Sequence, residues 1–374
     1  MENTNNLGGI GIAPKKHYHI LDGLRGVAAL MVLVFHIFEM FNIREAPIQH
    51  GYIAVDFFFL LSGFVIAHAY DNRWNSMTPK DFFKRRLIRL HPMIIFGMTF
   101  GAILYYFSGS SLYPDLASTP IWMLLGVLLL NFFLIPTTPS MDLRTFGEMY
   151  PLNGPAWTLF FEYIANILYI LIFRKLSTRI LTLCVIVSAA VLAHFAITNG
   201  NVIGGWQLTP IEFQHGLTRL IFPFLAGMLL RRVFKPIKLN NSFLWSSLFL
   251  IVIMAMPILG SEDQTWINGL YEAFAIIILF PIIIFLGASG NAETKVSSKL
   301  CRFLGDISYP LYIIHYPIMY IYYGWIVDNK VEMSDTYLHA TALFFLSIGI
   351  AYLAVKFYDT PVRKKLAQMF LAKK

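Results

Sequence analysis

The 374-residue chain is 57% hydrophobic and carries charge on only 13% of its residues, where a soluble globular chain carries charge on about a quarter; a water-soluble domain is excluded. The formal net charge of +8 would suit a nucleic-acid binder, but the lysines and arginines fall in short loops between apolar runs. That is the positive-inside pattern of a multi-pass membrane protein, and it accounts for the charge with a lipid bilayer as partner and no nucleic acid.

Residues 1–20 are polar, with Lys15 and Lys16 ahead of the first apolar run and no small-residue cleavage site after it, so no removable signal peptide is expected. Eleven apolar segments follow, at 24–41, 51–70, 92–109, 120–136, 155–173, 180–198, 215–233, 242–260, 267–287, 307–326 and 337–357. Most have the length of a membrane helix, and none alternates as a barrel strand does, which predicts an all-α transmembrane bundle. The loops 71–91, 174–179, 231–241 and 289–306 are basic, as are both termini, while 110–119, 199–214 and 261–266 contain no lysine or arginine. The basic set is expected in the cytoplasm. Three apolar segments separate the basic loops 71–91 and 174–179, yet loops on one side require an even number of crossings. One of the three is therefore not a full span. The segment 120–136, interrupted by Gly126 and Asn131 and closed by Pro136, is the expected re-entrant or non-spanning helix. About ten spans result, with both termini cytoplasmic, in one membrane domain covering 1–374 and ending in a basic tail at 358–374. Cys184 and Cys301 read as ordinary small residues, with no disulfide.

Ionisable residues within such spans are costly and mark function by default. On the first segment, Arg25 and His36 are eleven residues apart, roughly 16 Å along a helix. With the loops sorted, His36, Asp56 and Glu162 fall at a similar expected depth, roughly 7–10 Å below the outer face. A histidine oriented by a carboxylate is a general base for a hydroxyl, with Asp56 or Glu162 as the orienting acid. These groups would also suit a proton relay in a transporter or flippase, although no two-half repeat is visible. Arg85, Arg86 and Arg89 form a basic group at the inner face, and arginine forks suit phosphates. Arg219 is a candidate for binding an acceptor, stabilising an oxyanion or pairing with a carboxylate in the bundle. His215 lies at the end of the same segment. Trp157 reads as an interfacial anchor or a sugar platform, and His315 as a core histidine. No metal is expected.

Six stretches, in this order, resemble the acyltransferase-3 family of integral membrane acyltransferases. They are LDGLRGVAALMVLVFH (21–36), GYIAVDFFFLLSGFVIAHAY (51–70), KRRLIRLHP (84–92), AWTLFFEYIANILY (156–169), LGDISYPLYIIHYP (304–317) and YDTPVRK (358–364). The resemblance implies a ten-span O-acetyltransferase of the bacterial inner (plasma) membrane. Its acyl donor would be cytoplasmic acetyl-CoA or another acyl-CoA, and its acceptor a hydroxyl of a cell-surface or lipid-linked carbohydrate. The family's essential histidine maps to His36 and its paired arginine to Arg25. Its CoA-phosphate arginines map to Arg86 and Arg89, with Arg85 adjacent, and its tryptophan-motif glutamate to Glu162. The chain departs from the pattern at Asp359, where glutamate is usual, and at Thr158 with the single acid Glu162.

Overall fold

Apolar runs with no water to satisfy their backbones must close their hydrogen bonds internally, and this chain does so with helices. The computed structural model describes residues 17–290 and 295–371; Lys15, Lys16, the rest of 1–16, and the last three residues of the tail lie outside the described residues. In chain order the helices are α1 (His19–Phe38), α2 (Ala54–Tyr70), α3 (Pro79–Tyr105), α4 (Ile121–Phe132), α5 (Trp157–Leu171), α6 (Thr178–Asn199) and α7 (Pro210–Val233). They continue as α8 (Ser242–Ala255), α9 (Trp266–Phe274), α10 (Phe280–Ser289), α11 (Lys295–Asn329), α12 (Tyr337–Ala354) and α13 (Thr360–Leu371). Two π-helical turns, Ala275–Leu279 and Val355–Asp359, join α9 to α10 and α12 to α13. No strand forms among the described residues; an isolated bridge joins Glu148 to Gln207.

Among the described residues, seven helical stretches are long and apolar enough to cross a membrane: His19–Phe38, Gly51–Tyr70, Pro79–Tyr105, Gly154–Lys175, Thr178–Asn199, Trp266–Ser289 and Tyr337–Leu371. The chain is an integral membrane protein. Its outward faces fit a hydrocarbon solvent: Leu183, Ile186 and Val187 on α6, and Leu338, Phe345 and Leu346 on α12, are all more than half exposed. At 12 residues, α4 is about 18 Å long and shorter than the hydrocarbon core, which is about 30 Å thick. The segment 242–260, expected as a full span, holds only the 14-residue α8, about 21 Å long.

Two of the expected basic loops, 71–91 and 289–306, are helical over much of their length, the second from Lys295 where α11 begins. The basic stretch 71–91 enters α3 at Pro79, because Thr78 and Asp81 form a capping box in which each side chain accepts from the other's backbone N–H. Most of the described tail is helix as well: α12 passes through its π turn into α13 without a break.

The bundle is organised by two close helix pairs, α1 along α11 and α2 along α7. Glycines set the second approach: a methyl group at Gly63 would strike the carbonyl of Phe224, and one at Gly227 the carbonyl of Leu60. Small residues that let two backbones meet are the usual packing device between membrane helices. At one end of the bundle the loops 133–153 and 200–209 interlock, with Met149 N–H donating to the Trp206 carbonyl at 2.8 Å and Thr137 N–H to that of Met149 at 3.0 Å.

Candidate active site

The last turn of α1 opens on a cavity of about 400 Å³, within the range of small-molecule sites. His36 lines it, and its Nδ1 lies 2.7 Å from Glu39 Oε2, one helical turn along. The Tyr323 hydroxyl stands 2.8 Å from the same carboxylate oxygen and 2.7 Å from the His36 carbonyl. With Nδ1–H donated to Glu39, Nε2 keeps a lone pair for a reacting hydroxyl. The Tyr316 ring packs edge-on against the imidazole at 4.8 Å, and the His315 ring lies 5.3 Å away on the same helix. His315 is buried with Nδ1 on the Leu311 carbonyl at 2.9 Å, while its Nε2 finds no partner among the described residues. Glu148, Trp157, Trp206 and Arg219 also line it, among apolar residues that include Val32, Phe35 and Phe146.

The carboxylate on His36 is thus neither of the two expected. Asp56 is fully buried and held by Arg219, whose Nη2 donates to Asp56 Oδ2 at 2.7 Å and to the Tyr52 carbonyl at 2.9 Å. Arg219 also donates to the Gly204 carbonyl at 3.2 Å and lies 5.3 Å from the Trp157 ring centroid. Two unpaired charges at this depth would be prohibitive, and pairing with each other is the cheapest arrangement open to them. Glu162 is drawn away to Arg86, with which it forms an ion pair, and accepts a bond from Ser62 at 3.2 Å. The equal depths read from the sequence could not reveal which partner each acid would take.

A second cavity lies toward the other end of α1 and is lined by Arg25, Arg86, Arg89 and Arg363. Arg25 donates to Ser308 Oγ at 2.9 Å and to the Gly305 carbonyl at 3.1 Å, which fixes its guanidinium against α11. Arg86 and Arg89 share a face of α3, as their spacing predicts. Arg89 has no hydrogen-bond or ion-pair acceptor among the described residues. Glu162, Asp306 and Asp359 line the same cavity, so four guanidiniums face three carboxylates, and Arg89 is the guanidinium left without an acceptor there. Arg363 pairs with Asp359, whose Oδ1 is buried without a partner. That pair comes from the 358–364 stretch, and the π turn before α13 delivers it to the cavity. Arg85 lines neither cavity. His215 lines neither as well, with Nδ1 3.5 Å from Glu212 Oε1 and its ring on Phe195.

Only Val55 and Tyr312 line both cavities. The Tyr312 hydroxyl lies 2.9 Å from Thr158 Oγ1, so the wall between them is one layer of side chains braced by a hydrogen bond. Sequence reasoning missed Glu39, Glu148, Tyr312, Tyr316, Tyr323 and Arg363. A signal existed for Glu39, an acid three residues beyond the key histidine and therefore on its face of the helix. The tyrosines of α11 gave none, since aromatic residues in an apolar helix are ordinarily packing.

A family model described as an acyltransferase domain matches residues 18–356. Protein 2 in the picA locus of Rhizobium radiobacter is 32% identical over 191 residues, 48% of this chain and 95% of that protein. O-acetyltransferase OatA of Staphylococcus aureus is 25% identical over 372 residues, covering 95% of this chain and 59% of the relative. Peptidoglycan O-acetyltransferase OatA of Listeria monocytogenes is 25% identical over 367 residues, 94% of this chain and 56% of the relative. The chain therefore spans less than two thirds of the length of the OatA relatives. No solved structure matches it.

Proposed function

Because the chain belongs to the acyltransferase-3 family, we propose that it is a membrane O-acetyltransferase moving acetyl from acetyl-CoA to a carbohydrate hydroxyl, with His36 as general base. The observation that carries this reading is the pair of back-to-back cavities, one lined by arginines and one by an oriented histidine, parted only by Val55 and Tyr312. Donor phosphates would sit on Arg86, Arg89 and Arg25, with Arg363 as a fourth cation. The extended thiol arm would carry the thioester past Tyr312. The rise of about 16 Å between Arg25 and His36 on α1 sets the scale of that reach.

At the histidine, Nε2 takes the proton of the acceptor hydroxyl as its oxygen attacks the thioester carbonyl. Glu39 holds the ring and balances the imidazolium that forms. The tetrahedral adduct collapses with cleavage of the carbon–sulfur bond, and the imidazolium returns its proton to the departing thiolate. Acetyl ester and free CoA are the products, with no electrons exchanged and no metal required. The acceptor enters from the Trp157 and Trp206 side. The relatives named O-acetyltransferase and peptidoglycan O-acetyltransferase support a carbohydrate acceptor. In this reading the single domain spans the plasma membrane with about ten crossings, both termini and the arginine cavity on the cytoplasmic side.

The test is purified protein in proteoliposomes with radiolabelled acetyl-CoA, scored for free thiol and labelled acceptor. His36→Ala should lower turnover by about 10²–10⁴-fold, and Arg89→Ala should raise the donor KM with a smaller effect on kcat. Full activity in both variants, with movement of a solute across the membrane lost instead, would leave a transporter as the better description.

A further inference from the structure

The chemistry assigned to His36 leaves one acid of its cavity unused. Glu148 is 6% exposed, lines the cavity, and comes from the loop 133–153 and not from a helix. The Tyr320 hydroxyl donates to its Oε2 and accepts from Gly154 N–H at 3.1 Å. A methyl group at Gly154 would strike its Oε1, so the glycine makes the space that the carboxyl occupies.

The loop is built to hold this group still. Asp142 accepts from Arg144 N–H at 3.0 Å and from Gly147 N–H at 2.7 Å, closing a tight turn. The Arg144 guanidinium is buried 3.8 Å from the Tyr320 ring centroid, within about 5 Å of those of Tyr105 and Tyr113, and donates to the Pro151 carbonyl and Ser108 Oγ. Burying an arginine beneath three tyrosines is expensive, and its visible result is a fixed Tyr320–Glu148 pair at the cavity wall. Gln207, whose side-chain amide donates to the Phe146 carbonyl at 3.3 Å, also lines the cavity, and Trp157, Trp206 and Tyr316 add aromatic faces. Carboxyl and amide groups beside aromatic faces suit a ligand with hydroxyls on one edge and C–H groups on its faces. The cavity offers no free cation for an anionic ligand, because Asp56 already neutralises Arg219.

We propose that Glu148 orients the acceptor, binding the hydroxyl next to the one presented to His36, and that it selects uncharged pyranoses over anionic sugars. This rests on the reading of the histidine cavity as the acceptor site. Burial pushes the Glu148 carboxyl up to about 8. The charged and titratable groups around it are Tyr316, Tyr320 and Tyr323 from α11, His36 and Glu39 at the end of α1, Tyr113 from the segment before α4, and Arg144 and Asp142 from its own loop. Below pH 8 the neutral carboxyl both donates and accepts. Above it, the group ionises in the field of Glu39 and can only accept.

The experiment gives the full-length protein in proteoliposomes radiolabelled acetyl-CoA with chitotetraose as the uncharged probe and tetragalacturonate as the anionic one. Label should enter chitotetraose, with a KM that rises above pH 8. Glu148→Ala should raise that KM about tenfold or more with a smaller change in kcat. Glu148→Gln, which keeps a donor and an acceptor, should restore most of the affinity and remove the rise above pH 8. Equal labelling of both sugars, a wild-type KM in the alanine variant, or failure of glutamine to rescue a stably folded protein overturns the role of Glu148 alone. Consumption of acetyl-CoA without label in either sugar overturns the carbohydrate-acceptor reading, and this inference with it.

Discussion

Glu39 shows how little of a residue's role resides in its depth and how much in its neighbours. It sits at the end of α1, yet its carboxylate meets both the imidazole of His36 and the Tyr323 hydroxyl. Asp56, deeper and better placed by sequence criteria, is committed to Arg219. Reading His36 as the centre of a site was possible from an ionisable residue in an apolar run. Choosing its partner was not, because Asp56 and Glu162 share its expected depth and only side-chain direction commits them to Arg219 and Arg86. Glu39→Gln tests the assignment at this scale. An amide that donates to Nδ1 leaves the proton on Nε2, where the base must be free. Steady-state kinetics should show kcat reduced about 100-fold or more with the donor KM unchanged. A wild-type kcat would reduce Glu39 to a packing residue.

Among the elements, the starts of α3 and α11 were misjudged for one reason: the basic residues of 71–91 and 289–306 were taken as loop. Charge reports the side of the membrane on which a stretch lies, not its backbone conformation. The capping box at Thr78 and Asp81 was legible, and it turns the basic group into a helix face that aims Arg86 and Arg89 into one cavity. The π turn Val355–Asp359 was not legible, since one extra residue per turn leaves no compositional trace. Beyond it, Arg363 joins Arg25, Arg86 and Arg89 at the cavity, whereas Arg85, the fourth arginine expected there, stays outside. Arg363→Ala should therefore raise the KM for acetyl-CoA several-fold while leaving that for a thioester without the nucleotide, such as acetyl-pantetheine, unchanged. Donor-series kinetics check this, and an equal effect on both donors would place Arg363 outside phosphate binding.

At the level of the whole molecule, the all-α membrane class followed directly from composition, and Arg25 and His36 marked the two ends of α1 that line cavities. The division of the interior into two cavities did not, because a cavity is a property of several helices at once. Residues from α1, α2, α3, α5, α11 and the joint before α13 meet at the arginine cavity, whereas the histidine cavity takes its far wall from loops 133–153 and 200–209. The partition of Val55 and Tyr312 has an electrical consequence. Two hollows toward opposite ends of one helix, each holding charged groups and sharing Val55 and Tyr312, would form an interrupted conductor, with Tyr312 and its bond to Thr158 as part of the insulation. Under the proposed reaction, a thioester has to pass where protons must not. Tyr312→Ala should make proteoliposomes dissipate an imposed pH gradient faster than those with wild-type protein, followed by an entrapped pH dye. Adding CoA, which would fill the arginine cavity, should slow the leak. Cells carrying that variant are expected to lose membrane potential in proportion to its abundance.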